Sequence, residues 1–241
     1  MSLFSLTAVP KATACDEPFD FVALPLEVKE LIYKHAMFAG GHLGDGLLVS
    51  TDKFGDTELQ SSFPAICFTN KLERIIASRL YLRYQTITMY DCDDSPVLGA
   101  FLSQFGKANE GLSGLKNVCF AYYGKSLYGF QFRKAVDLIK ICTGLKTIEF
   151  IIYSEDLYEW DEREQIESRP STGTEIFKYL HLHGLADCGH LTEVRFSVYD
   201  ESHRAELKGL KELIQDFSCE FLALHGLIAS KKLDVGIHNL R

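Results

Sequence analysis

The amino-acid sequence predicts an α/β protein whose parallel sheet is covered by helices on one face only. From residue 84 onward, short apolar strands alternate with amphipathic helices. Elements in this alternation pair in parallel through right-handed crossovers. A short phrase also recurs where helices give way to strands, and its strands are apolar on one side and mixed on the other. These observations together define the predicted fold.

The recurring phrase marks the predicted repeats. Residues 114–120 have the sequence GLKNVCF, and residues 144–150 have the sequence GLKTIEF. Residues 190–196, HLTEVRF, keep the apolar positions without the Gly-Leu-Lys start. Because the phrases are unevenly spaced along the chain, the array is predicted to be irregular rather than a uniform solenoid.

The alternation within each phrase predicts which side chains face the core, since successive strand residues point to opposite faces of a sheet. The core-facing positions are Val118, Phe120, Ile148, Phe150, Val194 and Phe196. The opposite positions are Asn117, Cys119, Thr147, Glu149, Glu193 and Arg195. A doubly covered sheet needs near-continuous apolar strands, and burying Glu149 or Arg195 unpaired would cost several kcal/mol. We therefore predict a one-sided, irregular, leucine-rich-repeat-like parallel sheet with an open face.

The N-terminal part of the chain is organised differently. Residues 1–20 are predicted to form an irregular arm, because they contain proline, serine and threonine without a periodic pattern. Pro25 stands at a typical first helical position. Residues at helical spacing on both sides of this proline form one stripe, which consists of Leu24, Val28, Leu31, Ile32, His35 and Ala36. Glycines between positions 40 and 46 end this helix and open a flexible insert that extends to about Ser62.

Further signals place the remaining elements. A second helix is predicted to start near Pro64, with a stripe of Leu72, Ile75, Ile76 and Leu80. Ser95 and Pro96 are predicted as the N-cap and first residue of another helix. Thr172 and Glu175 have the spacing of a capping box. A final alternation predicts a closing strand through Leu233, Val235 and Ile237.

Composition and charge restrict the classes of function. Hydrophobic residues make up 46% and aromatic residues 12% of the 241-residue chain, which is enough for a packed core. The formal net charge of −8 argues against a nucleic-acid-binding surface. The 7 cysteines form no CxxC pair, which is typical of reduced thiols in a cytoplasmic or nuclear protein. No apolar run approaches the roughly 18 residues of a membrane span, so no membrane partner is predicted.

Some clusters have residue types that suit chemistry but not the spacing that chemistry needs. Gly124-Lys125-Ser126 follows a strand, yet a phosphate loop needs a glycine where Cys119 stands. The possible zinc ligands lack CxxC or HxxxH spacing; they are His181, His183, Cys188 and His190. The acidic residues at 91, 93 and 94 are interpreted as a loop leading into the Ser95 cap. We therefore predict no catalytic residue, cofactor or metal, and a protein that is not an enzyme.

The segment at residues 153–170 is acidic and contains Tyr158 and Trp160. Tyrosine and tryptophan supply much of the binding energy at protein interfaces, so this pair suits a contact with a basic partner. A solvated loop, or a short helix with Glu/Arg pairs, is the structural alternative.

Residues 21–36 have the sequence FVALPLEVKELIYKHA, which resembles the opening phrase LPxExRxxIYxxxL of F-box-like proteins, a family abundant in filamentous fungi. Leu24, Pro25, Glu27, Ile32, Tyr33 and Ala36 fall on this approximate phrase. Residues 63–77, FPAICFTNKLERIIA, resemble the second phrase, an apolar helix before a short aromatic strand. In such proteins this module binds a Skp-type adaptor of a cullin–RING ubiquitin ligase, and a C-terminal repeat region selects the substrate.

The resemblance implies a docking module at residues 21–83, with a Gly-rich insert, followed by an α/β repeat domain at residues 84–241. It implies adaptor binding at Leu24, Pro25, Val28, Leu31 and Ile32. An unknown protein substrate is expected at Asn117, Thr147, Glu149, Tyr158, Trp160, Glu193 and Arg195. Two alternatives keep the same fold. One is a free-standing binding protein whose F-box-like helices cap the repeat core, and the other is an enzyme acting on a phosphate-bearing small molecule near Lys125.

Overall fold

The structure is a computed structural model that describes residues 20–38, 47–49, 63–105, 110–123, 130–153, 158–161, 166–170, 172–200 and 232–239, with residues 212, 215, 216, 219 and 223. The helices are α1 (Leu26–Phe38), α2 (Lys71–Tyr84), α3 (Ser95–Ser103), α4 (Glu110–Gly114), α5 (Phe130–Ile141) and α6 (Gly173–Tyr179). Short 3-10 helices span Ala65–Phe68, Cys92–Asp94 and Leu182–Asp187. The strands are β1 (Leu47–Val49), β2 (Thr86–Met89), β3 (Asn117–Phe120), β4 (Thr147–Tyr153), β5 (Tyr158–Asp161), β6 (Ile166–Pro170), β7 (Glu193–Asp200) and β8 (Lys232–Asn239).

Six strands form one sheet in which the spatial order follows the chain order, β1-β2-β3-β4-β7-β8. Every neighbouring pair in this sheet is parallel. Strands β5 and β6 pair antiparallel in a separate two-stranded sheet. Right-handed crossovers between neighbours in chain order all place their connections on the same side of a sheet. The predicted α/β class with parallel pairing is confirmed.

One face of the sheet is buried in the core along β1, β2, β3, β4 and β7. Its buried side chains are Leu47, Val49, Ile87, Met89, Val118, Phe120, Ile148, Phe150, Ile152, Val194, Phe196 and Val198. Phe120, Phe150 and Phe196 are register partners on adjacent strands, and their rings stack with centroids 5.3 Å apart in each pair. The core-facing positions predicted from strand alternation are therefore confirmed.

Lys116 and Lys146 make equivalent contacts in successive phrases. The Nζ of Lys116 donates to the carbonyl oxygen of Gly144 at 2.9 Å, and the Nζ of Lys146 donates to that of His190 at 3.2 Å. Gly144 and His190 occupy the same position in their phrases, directly before a buried leucine. The recurrence in sequence thus corresponds to a recurrence in hydrogen bonding.

A short strand, β1, lies within the segment that was predicted to be a flexible insert. Leu48 of β1 is the register partner of Thr88, and both neighbours of Leu48 are buried. The prediction was wrong at these residues because a strand of three residues is stabilised by its pairing with β2, which lies far along the chain. The glycines at 40–46 and the arm at 1–19 lie outside the described residues.

Two predicted helix starts are shifted. The second helix begins at Lys71 rather than near Pro64, because a 3-10 turn follows the proline and Asn70 caps the helix instead. The Asn70 Oδ1 accepts a hydrogen bond from the Glu73 amide at 2.9 Å. Helix α3 has Asp94, not Ser95, at its N-cap position. The capping box of α6 and the closing strand β8 are confirmed.

The acidic segment forms an antiparallel ribbon of β5 and β6, so its interpretation as a loop or short helix was wrong. Aromatic residues favour strands, and Tyr158 and Trp160 are spaced by the two-residue period of a strand.

Within the part of the chain that the structure describes, no helix is long and apolar enough to cross a membrane.

Candidate binding surfaces on the first helix and the sheet

Helix α1 is held to the protein by a buried polar contact. Lys29 is 5% exposed and Glu73 of α2 is 4% exposed. The Nζ of Lys29 lies 3.3 Å from the Oε1 of Glu73, and the Tyr33 hydroxyl donates to the other carboxylate oxygen. Buried ionised groups must be paired in this way, so Glu73 determines which side of α1 faces inward.

Aromatic contacts extend this inner side of α1 along its length. The Tyr33 ring lies 5.6 Å from the ring of Phe21, which precedes the helix. At the other end, Phe38 stacks on Tyr81 of α2, with ring centroids 6.2 Å apart. The helix is therefore anchored at its start, middle and end.

The opposite side of α1 presents apolar side chains to solvent. Val28 is 39%, Leu31 is 68% and Ile32 is 38% exposed. We call these three residues the exposed stripe. Leu24 is half-buried and Pro25 is exposed beside it. The structure thus places three of the predicted adaptor-binding residues on the exposed stripe of α1, and the other two, Leu24 and Pro25, directly before the helix.

The second surface is the face of the sheet opposite the core. Asn117, Thr147 and Glu193 are register partners across β3, β4 and β7. Cys119, Glu149 and Arg195 form the next row. Arg195 is exposed and the others are half-buried, except for the small side chain of Cys119, which is buried. We call Asn117, Thr147, Glu149, Glu193 and Arg195 the open face.

Ion pairs and hydrogen bonds order the charged groups of the open face. The Nη2 of Arg195 lies 3.1 Å from Oε1 of Glu193 on the same strand. The Ser197 hydroxyl donates to Oε1 of Glu149 at 2.7 Å. The charged groups thus have polar partners, and none of them is fully buried.

A row of tyrosines at the carboxyl end of the sheet was missed in the sequence analysis. The rings of Tyr122 and Tyr153 have centroids 5.1 Å apart, and those of Tyr153 and Tyr199 are 6.3 Å apart. Tyr153 and Tyr199 are register partners on β4 and β7. The sequence contains a signal for this row, because β4 ends its phrase with Phe-x-Ile-Tyr at 150–153 and β7 ends its phrase with Phe-x-Val-Tyr at 196–199.

The remaining predicted substrate-contact residues are Tyr158 and Trp160. Both lie on β5 of the two-stranded ribbon, which follows β4 in the chain. The structure describes their backbone pairing with β6, in which Trp160 is opposite Glu167.

The buried cysteines are unsuited to nucleophilic chemistry. Burial raises the pKa of Cys67 to about 11 and the pKa of Cys142 to about 12. Burial, with the nearby charge of Glu149, raises the pKa of Cys119 to about 12. Because the thiolate is the reactive form, these three thiols remain protonated and unreactive at neutral pH.

Several residues of the other clusters considered in the sequence analysis make structural contacts. Asp91 and Asp94 form a capping box on the 3-10 turn before α3. The Cys188 thiol contacts the carbonyl of Gly184, and Nε2 of His190 lies 3.1 Å from the carbonyl oxygen of Ile139. Among the described residues, no group of three or more His, Cys, Asp or Glu side chains is arranged to hold a metal ion. Lys125 lies outside the described residues.

The sequence matches no protein-family model, and comparisons with curated proteins and with solved structures also gave no match.

Proposed function

We propose that this protein is an F-box-like interaction protein that recruits a protein substrate to a cullin–RING ubiquitin ligase. Its first helix docks a Skp-type adaptor, and its open face with the tyrosine row holds the substrate. The main support for this proposal is the exposed stripe on α1, which leaves Val28, Leu31 and Ile32 accessible to a partner.

The orientation of α1 supports this role. An amphipathic helix on a globular protein normally turns its apolar side to the core. Here the side of α1 that faces the core carries Lys29 and Tyr33. The exposed stripe lies on the side that faces solvent. A groove on a partner protein commonly binds a helix through contiguous exposed apolar side chains. The same residues fall within the phrase that resembles the family opening.

The sheet supports a recognition role for the second half of the chain. Its strands follow chain order, the phenylalanines at equivalent positions stack, and equivalent lysines link successive phrases. These features favour the leucine-rich-repeat-like interpretation of residues 84–241. Solvent-accessible polar groups beside a row of tyrosines are typical of a protein-binding surface.

The adaptor contact is tested with a single substitution in the exposed stripe. Leu31→Asp places a charge at the most exposed position of the stripe, so it should weaken adaptor binding by about tenfold or more. Because Leu31 is outside the core, we expect the free energy of unfolding to change by less than about 0.5 kcal/mol. Binding to a purified Skp-type adaptor is measured by calorimetry, and stability by urea denaturation.

Ile141→Asp is the matched control, because Ile141 is 52% exposed at the end of α5, away from the stripe. It should bind the adaptor like the wild-type chain. Absence of adaptor binding by the wild-type chain would overturn the ligase role and leave the free-standing binding protein as the explanation of the fold. Equal binding by wild type and Leu31→Asp would show that the stripe is not the contact.

A further inference from the structure

A cavity of about 660 Å³, open to solvent and lined largely by exposed side chains, lies where helix α5, the end of α6 and the 3-10 helix Leu182–Asp187 meet. Val136 of α5 is buried in its wall, and Gly184 lies beside it. The volume is within the roughly 300–1,000 Å³ of small-molecule sites. This cavity is separate from the exposed stripe and from the open face.

The cavity is lined mainly by nitrogen-bearing side chains. Arg133 and Lys140 come from α5, Lys178 from α6, and His181 and His183 from the segment that follows. Two carboxylates, Asp137 and Asp187, also line it. Asp187 is already paired with Lys140, with Oδ2 and Nζ 3.0 Å apart. Arg133, Lys178 and the two imidazoles therefore face a single further carboxylate, in a chain whose net charge is −8.

The backbone at His181 is held in a conformation that a side chain disfavours. Its φ is 53° and its ψ is 24°, and it is the one non-glycine residue with positive φ in the described part of the chain. Left-handed backbone costs about 1–2 kcal/mol for most residues with a Cβ, and glycine or asparagine usually takes this place after a helix. At this turn the ring centroids of His181 and His183 are 5.9 Å apart.

The environment of His181 disfavours an additional positive charge. Burial, then the nearby His183 and Arg133, lower the pKa of His181 below its ordinary value. The charged groups that line the same cavity from α5, α6 and the 3-10 helix are Arg133, Asp137, Lys140, Lys178, His183 and Asp187. A bound anion would offset this repulsion and stabilise the protonated imidazole.

We propose that this cavity binds a phosphomonoester, with its oxygens accepting hydrogen bonds from Arg133, Lys178, His181 and His183. A phosphomonoester carries roughly 1.5–2 negative charges at neutral pH and three strongly accepting oxygens, which suits several cationic and imidazole donors. A guanidinium binds such a group through two parallel hydrogen bonds. The volume beyond the phosphate has room for the organic part of the ligand.

The test follows the imidazole resonances of the full-length chain by NMR during titration with inorganic phosphate, adenosine monophosphate and a phosphoserine peptide. We expect saturable binding of a phosphomonoester and a rise in the pKa of His181 on saturation. Arg133→Gln and His181→Asn should each weaken binding by about tenfold, the loss expected for one charge-assisted hydrogen bond. Asparagine is chosen because it tolerates left-handed backbone.

Lys71→Gln is the matched control, since it removes one exposed positive charge at the start of α2 and should leave the affinity unchanged. Tighter binding of the nucleotide or of the peptide identifies which kind of molecule carries the phosphate. The proposal is overturned if no probe saturates, if both cavity variants bind as the wild type does, or if neither ester binds more tightly than inorganic phosphate. Leu31→Asp should not affect this titration, so the result is independent of the adaptor proposal.

Discussion

At the scale of single residues, Glu73 has the largest influence on the position of the first helix. It accepts hydrogen bonds from both Lys29 and Tyr33, and both members of the ion pair are buried. Removing one partner of a buried ion pair leaves the other charge without compensation. Glu73 was assigned no role in the sequence analysis, because its partners on α1 lie 40 and 44 positions earlier in the chain.

Glu73→Ala should therefore lower the free energy of unfolding by about 3–5 kcal/mol. The double variant Lys29→Met with Glu73→Leu removes both charges and keeps apolar volume, so part of the lost stability should return, reduced by the cost of leaving the buried Tyr33 hydroxyl without its acceptor. Urea denaturation of the two variants measures both effects. A double variant as unstable as Glu73→Ala would show that the loss comes from packing rather than from an unpaired charge.

Gly144 is a second residue that affects stability, because the fold leaves no room there for a side chain. A Cβ at this position would lie 1.7 Å from the carbonyl oxygen of Ser113, which is backbone and cannot rotate away. Gly144→Ala should therefore destabilise the fold by about 1–3 kcal/mol, the cost of an overpacked contact.

Gly189→Ala provides the comparison for Gly144→Ala. A Cβ at Gly189 would meet no atom within 4 Å, so the free energy of unfolding should change little. Thermal denaturation of the two alanine variants in parallel checks both expectations. Similar melting temperatures would mean that the contact between the first and second phrases adjusts to the added carbon.

At the scale of elements, the alternation of the strands separates the core from the open face. Glu149 and Arg195 are register partners on β4 and β7, so exchanging their charges keeps opposite charges across the two strands but breaks the solvent-accessible pair of Arg195 with Glu193. Glu149→Lys with Arg195→Glu should change the free energy of unfolding by less than about 1 kcal/mol. The same exchange reverses the charge pattern offered to a protein substrate, so it should weaken substrate binding by about tenfold.

Quantitative co-purification compares this double variant with the wild-type chain. The control is Arg79→Glu with Glu110→Arg, which exchanges an ion pair of 3.9 Å between α2 and α4. A substrate retained by the wild type and the control but lost by the open-face variant supports the proposal. Retention of the same partners by all three chains would remove the open face as the substrate surface.

At the scale of the whole molecule, the helices before the sheet and the sheet itself share one hydrophobic cluster. In the described residues this cluster runs from Tyr33 of α1 through Leu82 of α2 to Val198 of β7. Elements that share a core usually unfold together. We expect the helices before the sheet and the sheet itself to melt in a single cooperative transition.

Urea denaturation followed by circular dichroism, and by amide exchange of α1 in parallel, tests this cooperativity. Both signals should have the same midpoint, and Glu73→Ala should move both midpoints together. Leu31→Asp should change neither midpoint, because Leu31 is exposed. Loss of the α1 signal at a clearly lower urea concentration would mean that the first helix is a separate folding unit.

The sequence by itself determined the class of the fold and the two sides of its strands. The period of two within each strand decides which residues share a face, and this period is local to the strand. Val118, Ile148 and Val194 were therefore correctly placed in the core, and Glu149 and Arg195 opposite them. The recurring lysine and leucine also marked positions that are equivalent in the structure.

Only the tertiary structure decided the rotation of α1, the pairing of β1, the tyrosine row and the cavity beside His181. Each depends on groups that are distant in the chain. The side of α1 that is buried depends on Glu73 of α2, and the short run at 47–49 is a strand because β2 lies beside it. A local pattern specifies which side chains lie on the same face, whereas the direction in which that face points depends on the other elements available to pack against it.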